Sequence, residues 1–410
     1  MKVAMVTTTG PRCGIAAYSR DLITALEQVP GIDVEVVPIV EGCQPREFYA
    51  DQARRLNAPD LDVVHIQHEY SFWGSIFPLR SQPIAIAGIA LHLASGARSS
   101  TFLSFKQMIK TPLVVTVHTT LSVAGAFEAG AVALRSQGKA IPPHWRAIRK
   151  LTLNNRRFCE SVERLPFLAD ATIVHTDEAR RLLNSRNLPK VTVIPAGIPE
   201  AFPALTEGES FRHLHGLGGR RILTIFGYIA PMKGYELALD ALRALPGDVS
   251  LVIAGGPRTS ESEPYAQALS ESVARQGLAD RVVMTGYVDD VAVAEVMAAT
   301  DLVLAPHTVA TGSYSVAIAL AHGKPILASD QACFRELVER GASVETFPLS
   351  DPGQLAERAS QLLDDRPSLN RLAARAPAYA AAESWRCVAM RTAAVYREVI
   401  EGRGKPGPAV

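Results

Sequence analysis

Cysteine is scarce in this sequence: Cys13, Cys43, Cys159, Cys333 and Cys387 are five residues in 410. They are scattered, odd in number and never in CxxC spacing, which argues against a disulfide framework and a zinc site and fits a reducing compartment. Charge of one sign is also missing. Lys and Arg number 42 against 41 Asp and Glu, so no global field draws nucleic acid or an anionic membrane, and any phosphate must be held locally. Long apolar runs are absent too. The longest, PIAIAGIALHLA from Pro83 to Ala94, falls short of the ~20 residues that span a bilayer. It reads as a buried helix, the lesser alternative being a segment that borders an apolar pocket or makes weak peripheral contact with a membrane. The pattern of an export signal does not follow Met1, where KVAMVTT begins at once, so the expected location is cytoplasmic. Neither 27 Pro nor 29 Gly is high enough for extensive disorder, and a hydrophobic fraction of 48% is that of an ordinary globular protein.

Most of the chain consists of short β-branched runs, each followed by a helical stretch. KVAMVTT, DVEVVPIV, DVVHIQ, PLVVTVH, ATIVHT and VTVIPA fill the first half, and RILTIFG, VSLVIAG, RVVMTG, DLVLAP and PILAS the second. Continuous apolar strands alternating with helices predict parallel sheets covered on both faces. The fold class is therefore α/β, with two Rossmann-like, doubly wound domains, since one core rarely grows past roughly 250 residues. Pro195, Pro199 and Pro203 crowd a loop before RILTIFG, which puts the join near residues 198–218. The expected domains are 1–200, 201–383 and a C-terminal helix with its tail at 384–410. Trp385, Val388, Val395 and Tyr396 are the apolar members of that helix, and GRGKPGPAV reads as frayed.

Ligands of open parallel sheets bind beyond the carboxyl ends of the strands, and two such units create one cleft between them, so residues just after strands are the candidates. Gly10 and Gly14 follow the first strand and precede a helix, where backbone N–H groups could meet an anion; an ordinary strand-to-helix turn needs glycine as well. His118 and Thr119 end PLVVTVHTT. A histidine there can bond a sugar hydroxyl or titrate near neutrality, or can be a satisfied structural residue. In HIQHEY, His65 and His68 are three apart on a strand and so face opposite sides, which argues against a metal. Gln67, His68 and Glu69 fall at the strand end, suited equally to a sugar or acceptor contact and to loop anchoring. Lys233 and Gly234 lie between a strand and a helix, where a lysine can neutralise a diphosphate or remain simply solvated. Gly255 and Gly256 make a further turn, with Arg258 close behind. The loop Thr311, Gly312, Ser313, Tyr314 and Ser315 is dense in hydroxyls ahead of an Ala-rich helix, a cradle suited to a diphosphate where a plain cap needs only one Ser or Thr.

Taken in order, CGIAAYSRDL, DVVHIQHEY, VVTVHTT, ADATIVHTDEARRLL, VTVIPAGIP, FGYIAPMKGYELALDAL, VIAGGP, VVMTGYV, DLVLAP and ALAHGKPILAS resemble the retaining glycosyltransferases of family 4, which have the GT-B fold. QHEY, HTT and FGxxxPxKG are similar in particular to its mannosyltransferase-like subgroup. The resemblance implies transfer of a hexose of mannose or glucose type, from a GDP- or UDP-hexose on the C-terminal domain. The acceptor would be a hydroxyl of a glycan, lipid-linked or small-molecule substrate on the N-terminal domain, with no metal and no other cofactor. It implies that Gly14 faces the donor diphosphate and His118 the transferring sugar, that Lys233 and Gly312 to Ser315 hold the diphosphate, and that the C-terminal helix crosses back onto the first domain. Three positions depart from the family. Tyr228 stands where an arginine is usual after the FG strand, and the usual glutamate pair falls on Ala310 and Ile318. Losing a charged acceptor of ribose hydroxyls removes an interaction of about 1.5–3 kcal/mol. Glu336 is a candidate substitute, or simply a helix-facing acid. A catalytically degenerate binding or partner subunit is the alternative, while an epimerase would need an acid cluster that the sequence lacks.

Overall fold

A computed structural model describes residues 1–10, 13–40, 46–69, 72, 101–120, 132, 169–183, 191–257 and 262–403. Pro83–Ala94, Arg258 and most of the tail lie outside the described residues, so the expectations attached to them have no structural counterpart. The described residues fall into two compact units, one holding the first six strands and the chain from Trp385, the other Ala196–Ser384.

The first unit is built on β1 (Lys2–Thr7), β2 (Asp33–Pro38), β3 (Val63–His68), β4 (Leu113–Val117), β5 (Ala171–Val174) and β6 (Val191–Val193). They form one sheet in the order β2-β1-β3-β4-β5-β6, every pair parallel. The helices α1 (Gly14–Glu27), α2 (Arg46–Leu56), α3 (Thr101–Met108) and α4 (Asp177–Leu183) follow strands in the chain. Residues of β1, β3 and β4 are buried with scarcely a break because both faces of a parallel sheet are covered.

The second unit has β7 (Arg221–Phe226), β8 (Val249–Ala254), β9 (Val282–Gly286), β10 (Leu302–Ala305), β11 (Ile326–Ser329) and β12 (Val344–Phe347). Its parallel order, β12-β11-β10-β7-β8-β9, is that of the dinucleotide-binding folds. Alternate residues serve two cores: Leu302 and Leu304 pack on one face and Val303 and Ala305 on the other. Around the sheet run α5 (Glu209–Leu214), α6 (Tyr235–Ala244), α7 (Glu263–Arg275), α8 (Asp290–Ala299), α9 (Tyr314–Ala321), α10 (Ala332–Glu339), α11 (Pro352–Asp364), α12 (Arg366–Ala373) and α13 (Ala376–Ala382). Asp289 and Asp351 cap α8 and α11 by accepting from Ala292 N and Gln354 N.

The last helix, α14 (Trp385–Arg403), belongs to the first unit and packs on α1. Arg403 at its end donates to Asp170 at 2.6 and 3.1 Å. Among the described residues, no helix is long and apolar enough to cross a membrane.

Candidate functional site

In each sheet the strand order reverses direction at one place, and the crevice there is where open α/β sheets take ligands. In the second unit the reversal lies between β7 and β10, and Lys233 sits above it. Pro231–Lys233 form a short 3-10 turn that ends at Gly234, whose φ of 73° is the left-handed conformation glycine favours. A Cβ on Gly234 would stand 1.9 Å from the carbonyl oxygen of Pro306, so only glycine brings this turn against the end of β10. Thr308 N donates to Met232 O at 2.9 Å and fastens the same two segments.

Lys233 Nζ donates to Phe226 O at 2.7 Å and to Ser315 Oγ at 3.2 Å, and Ser315 is in turn 3.0 Å from Ser313 Oγ. Loss of water pushes the lysine down to about 7. Among the described residues it makes no ion pair, so a desolvated ammonium has no counter-charge. Gly227, against which the ammonium lies, is held from beneath by Gly255: with φ at 147°, a Cβ there would meet Gly227 O at 2.2 Å. Gly256 accepts from Ile229 N, and Tyr228 is half-buried between them at the end of β7. Ser313 precedes α9 without capping it, leaving the helix N-terminus unfilled by a side chain while exposed Gly312 and half-buried Tyr314 flank it. Lys233, Ser313 and Ser315 are thus brought together, as a cation and hydroxyls around an open helix end.

Glu336 is buried on α10 beside Cys333, whose thiol is pushed up to about 12 by burial and then by that carboxylate. Ala310 and Ile318 pack against the apolar core and offer no polar group. One residue escaped sequence reasoning. His307, next after Pro306, is 8% exposed; its carbonyl accepts from Ser329 Oγ and Gln331 Nε2, and its ring stands edge-on to Phe334. A lone histidine after a strand gives no signal that its ring will be buried.

In the first unit the reversal lies between β1 and β3. Gly14 opens α1 in the open, a Cβ there meeting nothing within 4 Å. His118 lies at the end of β4 with both ring nitrogens occupied: Nε2 is 2.9 Å from Gln67 Oε1 and Nδ1 3.2 Å from His175 Nε2. His175 Nδ1 is 2.9 Å from Ile194 O and therefore carries a proton. His118 then donates through Nδ1 and accepts through Nε2, which requires the Gln67 amide to be turned over so that its nitrogen, in place of Oε1, faces the ring. Behind Gln67, His65 is 2.6 Å from the Tyr396 hydroxyl through Nδ1 and 2.7 Å from Thr116 Oγ1 through Nε2. The Gln67 amide, 3.3 Å from His65 Nε2, joins the two halves, so a neutral relay of donors runs from Tyr396 to Ile194. Burial keeps the rings neutral, with His65 pushed down to about 3, and His118 and His175 lowered as well. Tyr18 packs on His118, His175 and Trp385 at 4.8, 5.1 and 4.9 Å.

This arrangement alters the acceptor-side expectation. Gln67 has no exposure and His68 only 5%, because strand residues buried on both faces cannot reach solvent. Gln67 can act on a ligand only through His118. Glu69 and Thr119 are half-buried and bonded to each other at the rim. Among the described residues no group of His, Cys, Asp and Glu could hold a metal ion.

Residues 220–365, which contain Lys233, His307 and the Ser313–Ser315 loop, match the family model described as Glycosyl transferases group 1. This segment is a group 1 glycosyltransferase domain. The chain is 29% identical to a D-inositol 3-phosphate glycosyltransferase of Thermobispora bispora over 58% of each chain. It is 30% identical to a phosphatidyl-myo-inositol mannosyltransferase of Mycobacterium leprae over 46% of this chain and 49% of the relative. It thus spans about half to three-fifths of the length of the curated relatives it matches. Among solved structures, Anabaena Alr3699/HepE in complex with UDP and glucose is similar with a TM-score of 0.68 and 18% identity, covering 97% of this chain and all of that one. Sucrose-phosphate synthase from Thermosynechococcus elongatus gives 0.69 and 17%, over 98% of this chain and 100% of that one. The fold joining the group 1 domain to the first unit is the two-domain GT-B fold.

Proposed function

We propose that the protein is a retaining hexosyltransferase that takes a hexose of mannose or glucose type from a GDP- or UDP-hexose and gives it to a hydroxyl acceptor. The observation that carries this reading is the desolvated Lys233 ammonium, without a counter-charge among the described residues, beside Ser315 and the uncapped start of α9. A sugar diphosphate supplies the missing charge. Breaking the bond between the anomeric carbon and the phosphate moves electrons onto the departing diphosphate, and fixed positive groups that meet that charge lower the barrier. The departing phosphate can take the proton of the acceptor hydroxyl on the same face, so neither metal nor carboxylate base is required.

In this reading the second unit holds the nucleotide sugar, with Tyr228, Gly255, Gly256, Gly312, Ser313, Tyr314, Ser315 and Glu336 around Lys233. The first unit takes the acceptor near Glu69 and Thr119, Gly14 offers its helix N-terminus to the diphosphate, and His118 meets the transferring sugar. The names of the relatives favour an inositol-type or lipid-linked acceptor, with weak membrane contact in the second case. The setting is the cytoplasm, in keeping with the scattered cysteines.

Thermal shift and hexose release are to be measured with UDP, GDP, CDP and dTDP and their hexose conjugates in the presence of a chelator. Stabilisation by one nucleotide and slow release of its hexose are expected. Failure of all of them to bind at millimolar concentration would refute the reading. Ala310 and Ile318 in the apolar core favour a second one, a binding subunit that kept the fold and lost turnover. Binding without release, with every acceptor class supplied, would establish it.

A further inference from the structure

Burying a polar side chain without a partner costs free energy, so such a group beside a binding crevice reports what the crevice is built to receive. His307 is one. Its Nδ1 is buried with no hydrogen-bond partner, although the residue is more than nine-tenths buried. The ring is not loosely placed. Edge-on contact with Phe334 at 5.4 Å, and bonds from Ser329 Oγ at 2.6 Å and Gln331 Nε2 at 3.2 Å to its own carbonyl, fix ring and backbone.

Its position is at the reversal point of the second sheet. Pro306 before it packs on Gly234, and Thr308 after it bonds to Met232, so His307 is stapled on both sides to the turn that carries Lys233. Burial, and then the nearby lysine, push its pKa down to about 3, so the ring is neutral at physiological pH. Lys233 supplies the charge an anion needs. What a neutral imidazole adds is a lone pair that accepts a proton from a hydroxyl. Ala310 and Ile318 offer no such acceptor in the same loop and helix.

We propose that His307 is a donor-site residue that accepts a hydrogen bond from a hydroxyl of the nucleotide sugar, ribose or hexose, whose diphosphate lies on Lys233. The assignment rests on the proposed use of Lys233 for a diphosphate. It gives the group 1 domain a neutral hydroxyl contact in a loop where it has no carboxylate.

The test compares wild type, His307→Phe and His307→Asn by calorimetry with pyrophosphate, UDP, UDP-glucose, GDP and GDP-mannose. Phenylalanine keeps the ring contact with Phe334 and removes both nitrogens, while the asparagine amide places its oxygen about where Nδ1 stands. In His307→Phe, affinity for the preferred nucleotide or its sugar conjugate should fall about three- to tenfold, the value of one neutral hydrogen bond. Pyrophosphate affinity should be unchanged, and His307→Asn should recover most of the loss. A fall already seen with UDP or GDP marks the ribose, and a fall only with the conjugate marks the hexose. Equal affinities across the variants, or a fall with pyrophosphate as large as with the nucleotides, overturn the assignment. A wild type that binds none of the five ligands overturns the diphosphate reading with it.

Discussion

Lys233 has lost the water that stabilises an ammonium and, among the described residues, gained no carboxylate in return, which leaves its proton exchangeable near neutral pH. The unfolded chain holds that proton with an ordinary value of 10.5 and the ligand-free fold with one of about 7, so between these limits the folded state binds fewer protons and stability rises with pH. A bound diphosphate reverses the preference. Above about pH 7, binding must therefore take up a proton and affinity must decline as pH rises. Titration with UDP or GDP at about pH 8.5, in two buffers of different ionisation enthalpy, should give different heats that correspond to uptake approaching one proton. Lys233→Met should remove the difference; equal heats in wild type would show that this lysine keeps one protonation state. Gly234 sets the same site by geometry. Its φ of 73° and the Pro306 oxygen at 1.9 Å from a Cβ mean that Gly234→Ala must push the turn off β10. A loss of about 1–3 kcal/mol in urea unfolding is expected, together with loss of nucleotide binding; retention of full binding would show that the turn does not position Lys233.

At the scale of elements, α14 reaches the buried histidines of the first sheet through the Tyr396 hydroxyl. Tyr396 is fully buried and its oxygen is 2.6 Å from His65 Nδ1, the first member of the relay that ends at Ile194. Tyr396→Phe leaves the packing intact and an unsatisfied imidazole behind, so stability should drop by about 1–3 kcal/mol. Turnover should fall as well, because His118 loses the chain of donors that fixes its tautomer. Denaturant unfolding and a pH–rate profile of the same variant separate the two effects, and an unchanged profile would confine Tyr396 to stability. Elements themselves were legible where apolar runs were continuous. β8, VSLVIA, is buried throughout and declares itself, whereas β12 has half-exposed Glu345 and Thr346 in its centre and escaped notice at the sheet edge. The crevice residues Lys233, Ser313 and Ser315 could be named from their places after strands. The relay could not, since His118 and His175 are 57 residues apart and meet only when β4 and β5 pair. Nor could the burial of Gln67, which depends on both faces of the sheet being covered.

For the molecule as a whole, the buried imidazoles make acid the natural denaturant. His65, His68 and His307 are each pushed down to about 3, and His118 and His175 are lowered, all chiefly by burial. Below about pH 6.5 the unfolded chain protonates its histidines while the fold keeps these neutral, so the histidine contribution to stability is fully present above that pH and is lost as pH falls toward 3. Each group contributes up to about 1.4 kcal/mol per pH unit in that window. Urea midpoints measured between about pH 7.5 and pH 5.5 should fall steeply, and a flat profile would mean that the rings are charged in the fold. The relay also governs the order in which the protein can be made. Its members His65 and Tyr396 lie 331 residues apart, with all of the second unit's chain from Ala196 to Ser384 between them. At roughly 5–20 residues per second, a ribosome needs tens of seconds to pass from one to the other. Through that interval the nascent first unit holds an unsatisfied histidine and an uncovered α1, so the part synthesised first is the part completed last, and the second unit can fold while its elder neighbour still waits for chaperone or partner helix.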